Sequence, residues 1–455
     1  MTPETGMELE ELHAATQDIF RHALDACDVG KAFDRHLHFD GMTLVRHPSQ
    51  ALQPISTPLD RYKKVIVIAF GKAAMTMLDA LLARLPKKIH VRGVCSAPQS
   101  PKKRNWRIRY FNGGHPLPNE DSFAAAEATL KLLKRARKDT FIFFLISGGG
   151  STMMELPRNE KISLEDTIAF HETLIASGAT ITEVNTVRKY FSATKGGRLA
   201  LAAPEAEKLS LLLADVPLKD LGAVASSPTL PDQSTLEQCR EVLNRYRLLE
   251  KFPSSIREYF ESLPADANAT QTSEAFTRSQ FDTLLSNHDF VNAARDRAQA
   301  LGFRVVIDNS CDDWDYADAS RYLLKRFHEL RAEHPRLCLL SSGEVTVQLS
   351  ANPGCGGRNQ QFALVSAFDL AKYEGQPLAV LSAGSDGIDG NSPAAGAIAD
   401  TTTIARAREY RFDPDASLSR FDTCPLFTAL GDTIVTGPTG NNLRDLRILL
   451  AARQT

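Results

Sequence analysis

The segment Leu378-Ala-Val-Leu-Ser-Ala-Gly-Ser-Asp386-Gly387-Ile388-Asp389-Gly390 leads a short apolar run into a turn where glycines flank two carboxylates three positions apart. Strand ends of this kind are where open α/β sheets carry their chemistry. Asp386 and Asp389 are suited to holding a hard cation or accepting a proton. Asp and Gly are also the commonest turn residues, so the same segment reads equally as a surface corner.

Five further segments carry groups for an anionic ligand. Ser147-Gly148-Gly149-Gly150-Ser151 follows an apolar run, and its glycines leave backbone N–H groups that can face an anion, or else form a plain tight turn. It is not a Walker A loop, which needs Lys-Ser/Thr after a spaced glycine pair, and Met153 stands where a dinucleotide fingerprint would have its third glycine. Gly71-Lys72, also at a strand end, offers a point charge to a phosphate or a developing oxyanion, and reads equally as a solvated surface lysine. Residues 186–198 gather Arg188, Lys189, Lys195, Gly196, Gly197 and Arg198, which suits a polyanion or a solvated basic helix face. Gly356-Gly357-Arg358-Asn359 sets an Arg and an Asn at the start of a helix, where the dipole favours negative charge, and 437–442 is a loop of similar type. His115 has no Asp or Ser partner nearby in sequence and reads as a substrate-loop or structural residue. Together these describe phosphoryl transfer better than redox chemistry: loops and cations hold phosphates, and carboxylates hold Mg²⁺ or orient the acceptor hydroxyl.

Alternating strand and helix patterns must position these groups. An amphipathic helix is expected over 8–35. The runs 64–70, 140–146 and 209–214 read as buried parallel strands, and α/β alternation over about 60–250 predicts a doubly wound sheet. The polar stretch around 253–277 reads as a connector. Beyond it the patterns predict helices at 291–301, 317–334 and 359–371, and strands at 303–307, 337–341, 345–349, 378–382 and 433–436. The expected division is therefore 1–252, a connector over 253–283, and a smaller α/β domain over 284–455.

At 455 residues two domains are the default, and 43% hydrophobic with 24% charged residues is ordinary for a globular chain. A net charge of -2 gives no global field for nucleic acid or an anionic membrane. Seven cysteines, scattered singly, suggest reduced thiols and a cytoplasmic address rather than a zinc site. No window approaches the ~18 consecutive apolar residues of a spanning helix.

In order, Phe70-Gly-Lys72-Ala, Gly114-His-Pro-Leu-Pro118, Ser147-Gly-Gly-Gly-Ser151, Glu183-Val-Asn185-Thr-Val-Arg188-Lys189, Lys195-Gly-Gly-Arg198-Leu, Gly343-Glu344-Val-Thr-Val, Gly356-Gly-Arg358-Asn359-Gln360, Asp386-Gly-Ile-Asp389-Gly390 and Gly437-Pro-Thr-Gly440 resemble the class II glycerate 2-kinases across roughly residues 10 to 450. The resemblance implies an N-terminal Rossmann-like glycerate-kinase domain and a C-terminal MOFRL domain, with the active site in the cleft between them. It implies ATP- and Mg²⁺-dependent phosphorylation of D-glycerate at its 2-hydroxyl. By motif, Lys72 and Arg358 match the catalytic cations. Ser147–Ser151, Arg188, Lys195, Gly196, Gly197 and Asn359 match the nucleotide side, and Asp386 and Asp389 the acidic turn, whose metal or base role is inferred from the carboxylates themselves. Ser227 stands where the family usually has Gly, Ser385 where it has Thr, and Tyr190 where His is frequent. The reading expects a small-molecule enzyme, monomer or homodimer, without nucleic-acid or membrane partners. Hydroxypyruvate reduction and non-catalytic metabolite binding are the alternative functions for such a chain. A dinucleotide fingerprint, which would favour the former, is not seen.

Overall fold

The computed structural model describes residues 7–48, 53–214, 224–264, 274–349 and 352–452. It divides into two compact units, Val29–Ser286, and Met1–Asp28 together with Asn287–Thr455.

In the first unit β1 (Leu37–Asp40), β2 (Thr43–Arg46) and β3 (Ile55–Pro58) make a small antiparallel sheet. The main sheet contains β4 (Lys64–Phe70), β5 (Val91–Ala97), β6 (Ile108–Asn112), β7 (Thr140–Ile146), β8 (Glu207–Ala214) and β9 (Ser279–Ser286). All neighbours are parallel, in the order β6-β5-β4-β7-β8-β9. β7 is buried at every position and β4 at all but Lys64, which is why both read as unbroken apolar runs. The chain builds outward from β4 through β5 and β6, then returns to the other side of β4 with β7. That reversal puts a topological switch point between the carboxyl ends of β4 and β7. The doubly wound sheet expected from the sequence is thus present.

The second unit holds a mixed sheet of β10 (Arg304–Ile307), β11 (Arg336–Ser342), β12 (Leu378–Gly384), β13 (Gly396–Asp400), β14 (Thr433–Ile434) and β15 (Asp445–Ala452), in the order β10-β11-β15-β12-β13-β14. Only β10 and β11 pair in parallel; the other neighbours are antiparallel. β15, buried throughout, occupies the middle.

Several expectations change. The stretch 253–283 is not a connector: its helix Ser254–Glu261 places Ile256, Tyr259 and Phe260 in one apolar cluster with Val184, Val187 and Phe191, and β9 is an edge strand of the main sheet. Residues 265–273 of that stretch, and Asp215 at the end of the third predicted strand, lie outside the described residues. The opening helix, Leu9–Ala26, belongs to the second unit, where it packs on the helix Asn287–Ala300 and on β12 and β15. Residues 345–349 form no strand, Thr346 making only an isolated bridge to Asp315. The polar alternation Val-Thr-Val-Gln-Leu suggests one, whereas the buried run of β15 is not among the expected strands.

Candidate active site

Gly71-Lys72 and the Ser147–Ser151 loop leave neighbouring strands β4 and β7, which stay in register to their last pair, Phe70 and Ile146. Their loops are therefore tied together. The Lys72 N–H donates to the Gly148 carbonyl at 2.8 Å, and the Ala73 N–H donates to Ser147 Oγ at 3.0 Å. Gly71, at φ +116°, has to be glycine, because a Cβ there would meet Ser147. Gly149, at φ +77°, is covered from two sides: the position of a Cβ lies 3.3 Å from His115 Nδ1 and 3.3 Å from Lys72 Cγ. The N–H groups of Gly148 and Gly149 donate to no described residue. The loop expected to cradle an anion therefore has its donors open, with Lys72 alongside.

His115 joins this place from the loop after β6, with Nδ1 3.4 Å from Thr152 Oγ1. Although the residue is exposed, the protein around the ring, then the charges of Lys72 and Arg188, draw its pKa down to about 4. Solvent access weakens the pull of those charges without reversing it, and the imidazole is neutral near pH 7. Ser151 Oγ lies 2.7 Å from Ser226 Oγ, which donates to Asn185 Oδ1 at 2.8 Å. Arg188 follows one turn later on the helix Ile181–Phe191, begun by a Thr180–Glu183 capping box. Ser226 and Ser227 both have left-handed backbones, φ +59° and +58°, a conformation that glycine adopts more readily than serine.

Lys195, Gly196 and Gly197 are placed otherwise than expected. Lys195 is 1% exposed, and its Nζ is bound to Glu155 at 2.6 Å, while Glu155 also binds His171 Nε2 at 2.9 Å. Burial raises the Glu155 carboxyl, but Lys195 and His171 more than reverse this and hold it at about 2. Burial takes His171 down to about 4. The Gly196 and Gly197 N–H groups donate to the Ser226 and Ser227 carbonyls at 3.1 and 2.7 Å. All three thus serve as scaffold beneath the loop; a cationic sequence alone does not reveal a buried counter-ion.

In the second unit the acidic turn after β12 packs on the start of the helix Arg358–Leu370. The Asp389 carboxylate, 2% exposed, accepts the N–H groups of Asn359 at 3.0 Å and Gln360 at 2.9 Å, capping that helix from a distant part of the chain. Burial raises its pKa to about 7 against the pull of those two N–H groups. Both oxygens being engaged, Asp389 is a helix cap rather than an open metal ligand. Asn359 is likewise internal: its Oδ1 accepts from Ser382 Oγ at 2.6 Å, so its expected nucleotide contact has no free side chain. Asp386 is half-buried, accepts the Ile388 N–H at 3.1 Å, and is braced by the loop at 437–442 through Thr439 N–H to its carbonyl. Arg358 is held by a fork that sequence reading missed. Nε and Nη2 bind Asp445 at 2.6 and 3.1 Å, and Nη2 also meets Glu344 at 2.9 Å. Nη1 has no partner among the described residues. Burial works against the guanidinium's charge, but Asp445 and Glu344 outweigh it and raise its pKa. Glu344 and Asn185 stood inside recognised motifs without a role; Asp445 gave one weak signal, a lone acid at the lip of an apolar run.

The sequence matches two family models, a domain of unknown function (DUF4147) over residues 15–261 and the MOFRL family over 337–445. It is 35% identical to the glycerate 2-kinase of Pyrococcus horikoshii, over 85% of this chain and 87% of that protein. The chain belongs to the glycerate 2-kinase family. A relative from Agrobacterium vitis, 34% identical over 85% of this chain and 87% of its own length, carries a provisional name, hydroxypyruvate reductase. The crystal structure of the Thermotoga maritima glycerate kinase superposes with a TM-score of 0.79 at 29% identity, covering 97% of this chain and 100% of the other. Two-unit α/β architecture is thus shared with a solved member of the family.

Proposed function

We propose that the protein transfers the γ-phosphoryl group of ATP to the 2-hydroxyl of D-glycerate, giving 2-phosphoglycerate and ADP. The observation that carries this reading is the pair of loops at the β4/β7 switch point, where Lys72 lies over Gly149 and the Gly148 and Gly149 N–H groups are open to an anion. Names of relatives support the substrate. In the reaction the acceptor oxygen forms a bond to phosphorus, the bond from phosphorus to the β–γ bridging oxygen breaks, and the hydroxyl proton is released. Protein catalysis of such a step consists of positioning and charge neutralisation. The loop holds donor phosphates, and Lys72 and Arg358 neutralise the phosphoryl in flight, Arg358 through Nη1. Of the two acids expected to hold Mg²⁺, Asp389 is spent on the helix start, and Asp386, half-buried in the same turn, is the one that would hold it. One protein carboxylate is sufficient for an ion that draws most of its ligands from phosphates and water. Bound there, Mg²⁺ would offset phosphate charge.

This reading describes a cytoplasmic small-molecule enzyme, monomer or homodimer, without nucleic-acid or membrane partners. Among the described residues no helix is long and apolar enough to cross a membrane. The test is incubation with D-glycerate, ATP and Mg²⁺, with 2- and 3-phosphoglycerate resolved by ³¹P NMR. Oxidation of NADH by hydroxypyruvate without ATP would replace the kinase reading with a reductase. Thermal stabilisation by D-glycerate and ATP without product would point to a metabolite-binding protein.

A further inference from the structure

Arg188 is 8% exposed, yet its guanidinium has neither a hydrogen bond nor an ion pair with any described residue, and its Nε is wholly buried. A buried charge without a partner is among the costliest arrangements a fold can keep. Glu155 attracts it from a distance but is bound to Lys195 and His171, so one positive charge stays in excess. Asn185, 4% exposed, lies three residues earlier on the same helix face. Its Oδ1 is fixed by Ser226, which touches Ser151 of the glycine loop, and its Nδ2 is also buried without a partner. Two unsatisfied donors thus share one helix face, beside the loop at the switch point.

We propose that Asn185 and Arg188 bind the carboxylate of the hydroxy-acid acceptor, setting its adjacent hydroxyl toward Lys72 and the Gly148–Gly149 loop. The inference rests on the kinase reading and moves Arg188 from the donor side to the acceptor side. A planar guanidinium with an amide N–H beside it matches the two oxygens of a carboxylate. The charge also matches: one excess cation meets one negative charge, while the multiply charged donor has Lys72 and the loop N–H groups. Such a clamp selects the 2-hydroxyl, because in a 2-hydroxy acid that oxygen sits on the carbon next to the carboxylate.

The experiment compares full-length wild type, Arg188→Met, Arg188→Lys and Asn185→Ala. KM for D-glycerate rises by about 10–100-fold in Arg188→Met and less in the other two, while KM for ATP stays within about twofold. Thermal melts with D-glycerate alone stabilise wild type but not Arg188→Met. Without ligand, Arg188→Met melts above wild type, since a buried unpaired charge has been removed; an arginine serving only structure would give the reverse. A higher KM for ATP with an unchanged KM for glycerate would assign Arg188 to donor phosphates and overturn the proposal, as would two unchanged KM values. Should wild type form no phosphoglycerate, the kinase reading fails. The D-glycerate melts then still decide the subsite: a shift lost in Arg188→Met upholds the carboxylate clamp, and no shift in wild type, or one retained, removes it.

Discussion

Lys72 and Arg358 differ in how they are held, and the difference shapes what their loss should do. Arg358 is aligned by Asp445 and Glu344, so its free Nη1 has a fixed direction. Lys72 is placed by its backbone, through the Gly148 carbonyl. Removing a charge aimed at the transition state typically costs 10²–10³ in kcat. Lys72→Ala and Arg358→Ala are therefore each expected to lower kcat by about that factor in a coupled 2-phosphoglycerate assay; wild-type turnover in either would remove that residue from the chemistry. Asp389 offers a test of a different kind. Its pKa rises from 3.8 in the unfolded chain to about 7 in the fold, so the native state binds the proton more tightly and loses stability as pH rises through that window. Asp389→Asn does not titrate. The stability of wild type minus that of the variant should fall between about pH 4 and pH 7 and level off above it, as read from urea titrations at several pH values. A difference independent of pH would mean that Asp389 ionises normally.

The glycine loop rests on the Glu155–His171–Lys195 cluster, which ties the segment after Met153 to the helix Leu164–Ile175 and to the turn at Lys195. Glu155→Gln would leave Lys195 as an uncompensated buried charge. It is expected to destabilise the fold by about 3–5 kcal/mol in urea unfolding, and a change below about 0.5 kcal/mol would show that the cluster contributes nothing. This cluster also marks how far the sequence could be read. β4, β7 and the loops after them were legible because a doubly buried parallel strand must be a continuous apolar run, and glycines at its end mark a backbone that turns sharply there. Lys195 was not legible as scaffold, because its sign of charge is the same whether it faces a phosphate or Glu155, forty residues away. Asp389 is ambiguous in the same way: an acid in a glycine turn looks open to a cation until the helix it caps is in view. β15 was not legible because Asp445 and Arg447 break its apolar run with charges whose partners, Arg358 and Ser341, lie far off in sequence. The lone acid at its head, Asp445, aligns Arg358.

The unit that ends the chain also contains its beginning. Leu12, Ile19 and Phe20 of the helix Leu9–Ala26 are fully buried, with Phe20 edge-on to Phe290 at 6.0 Å. Burying a large apolar side chain contributes about 1.5–3 kcal/mol, so these three together are comparable to the whole stability of a typical domain. Deleting residues 1–28 is expected to unfold the unit around β10–β15 while the parallel sheet of β4–β9 keeps its structure. Hydrogen exchange would show protection lost in Leu378–Gly384 and Asp445–Ala452 and retained in Lys64–Phe70. Uniform retention would make the helix dispensable. The discontinuous unit has a further consequence during synthesis. All of Val29–Ser286 must be translated between the first helix and its partners. At about 5–20 residues per second this leaves the nascent helix waiting roughly ten to fifty seconds with its apolar face uncovered. The parallel-sheet unit, complete at Ser286, can fold on the ribosome in that interval, but the unit holding Leu9–Ala26 and β15 can close only as β15 leaves the exit tunnel.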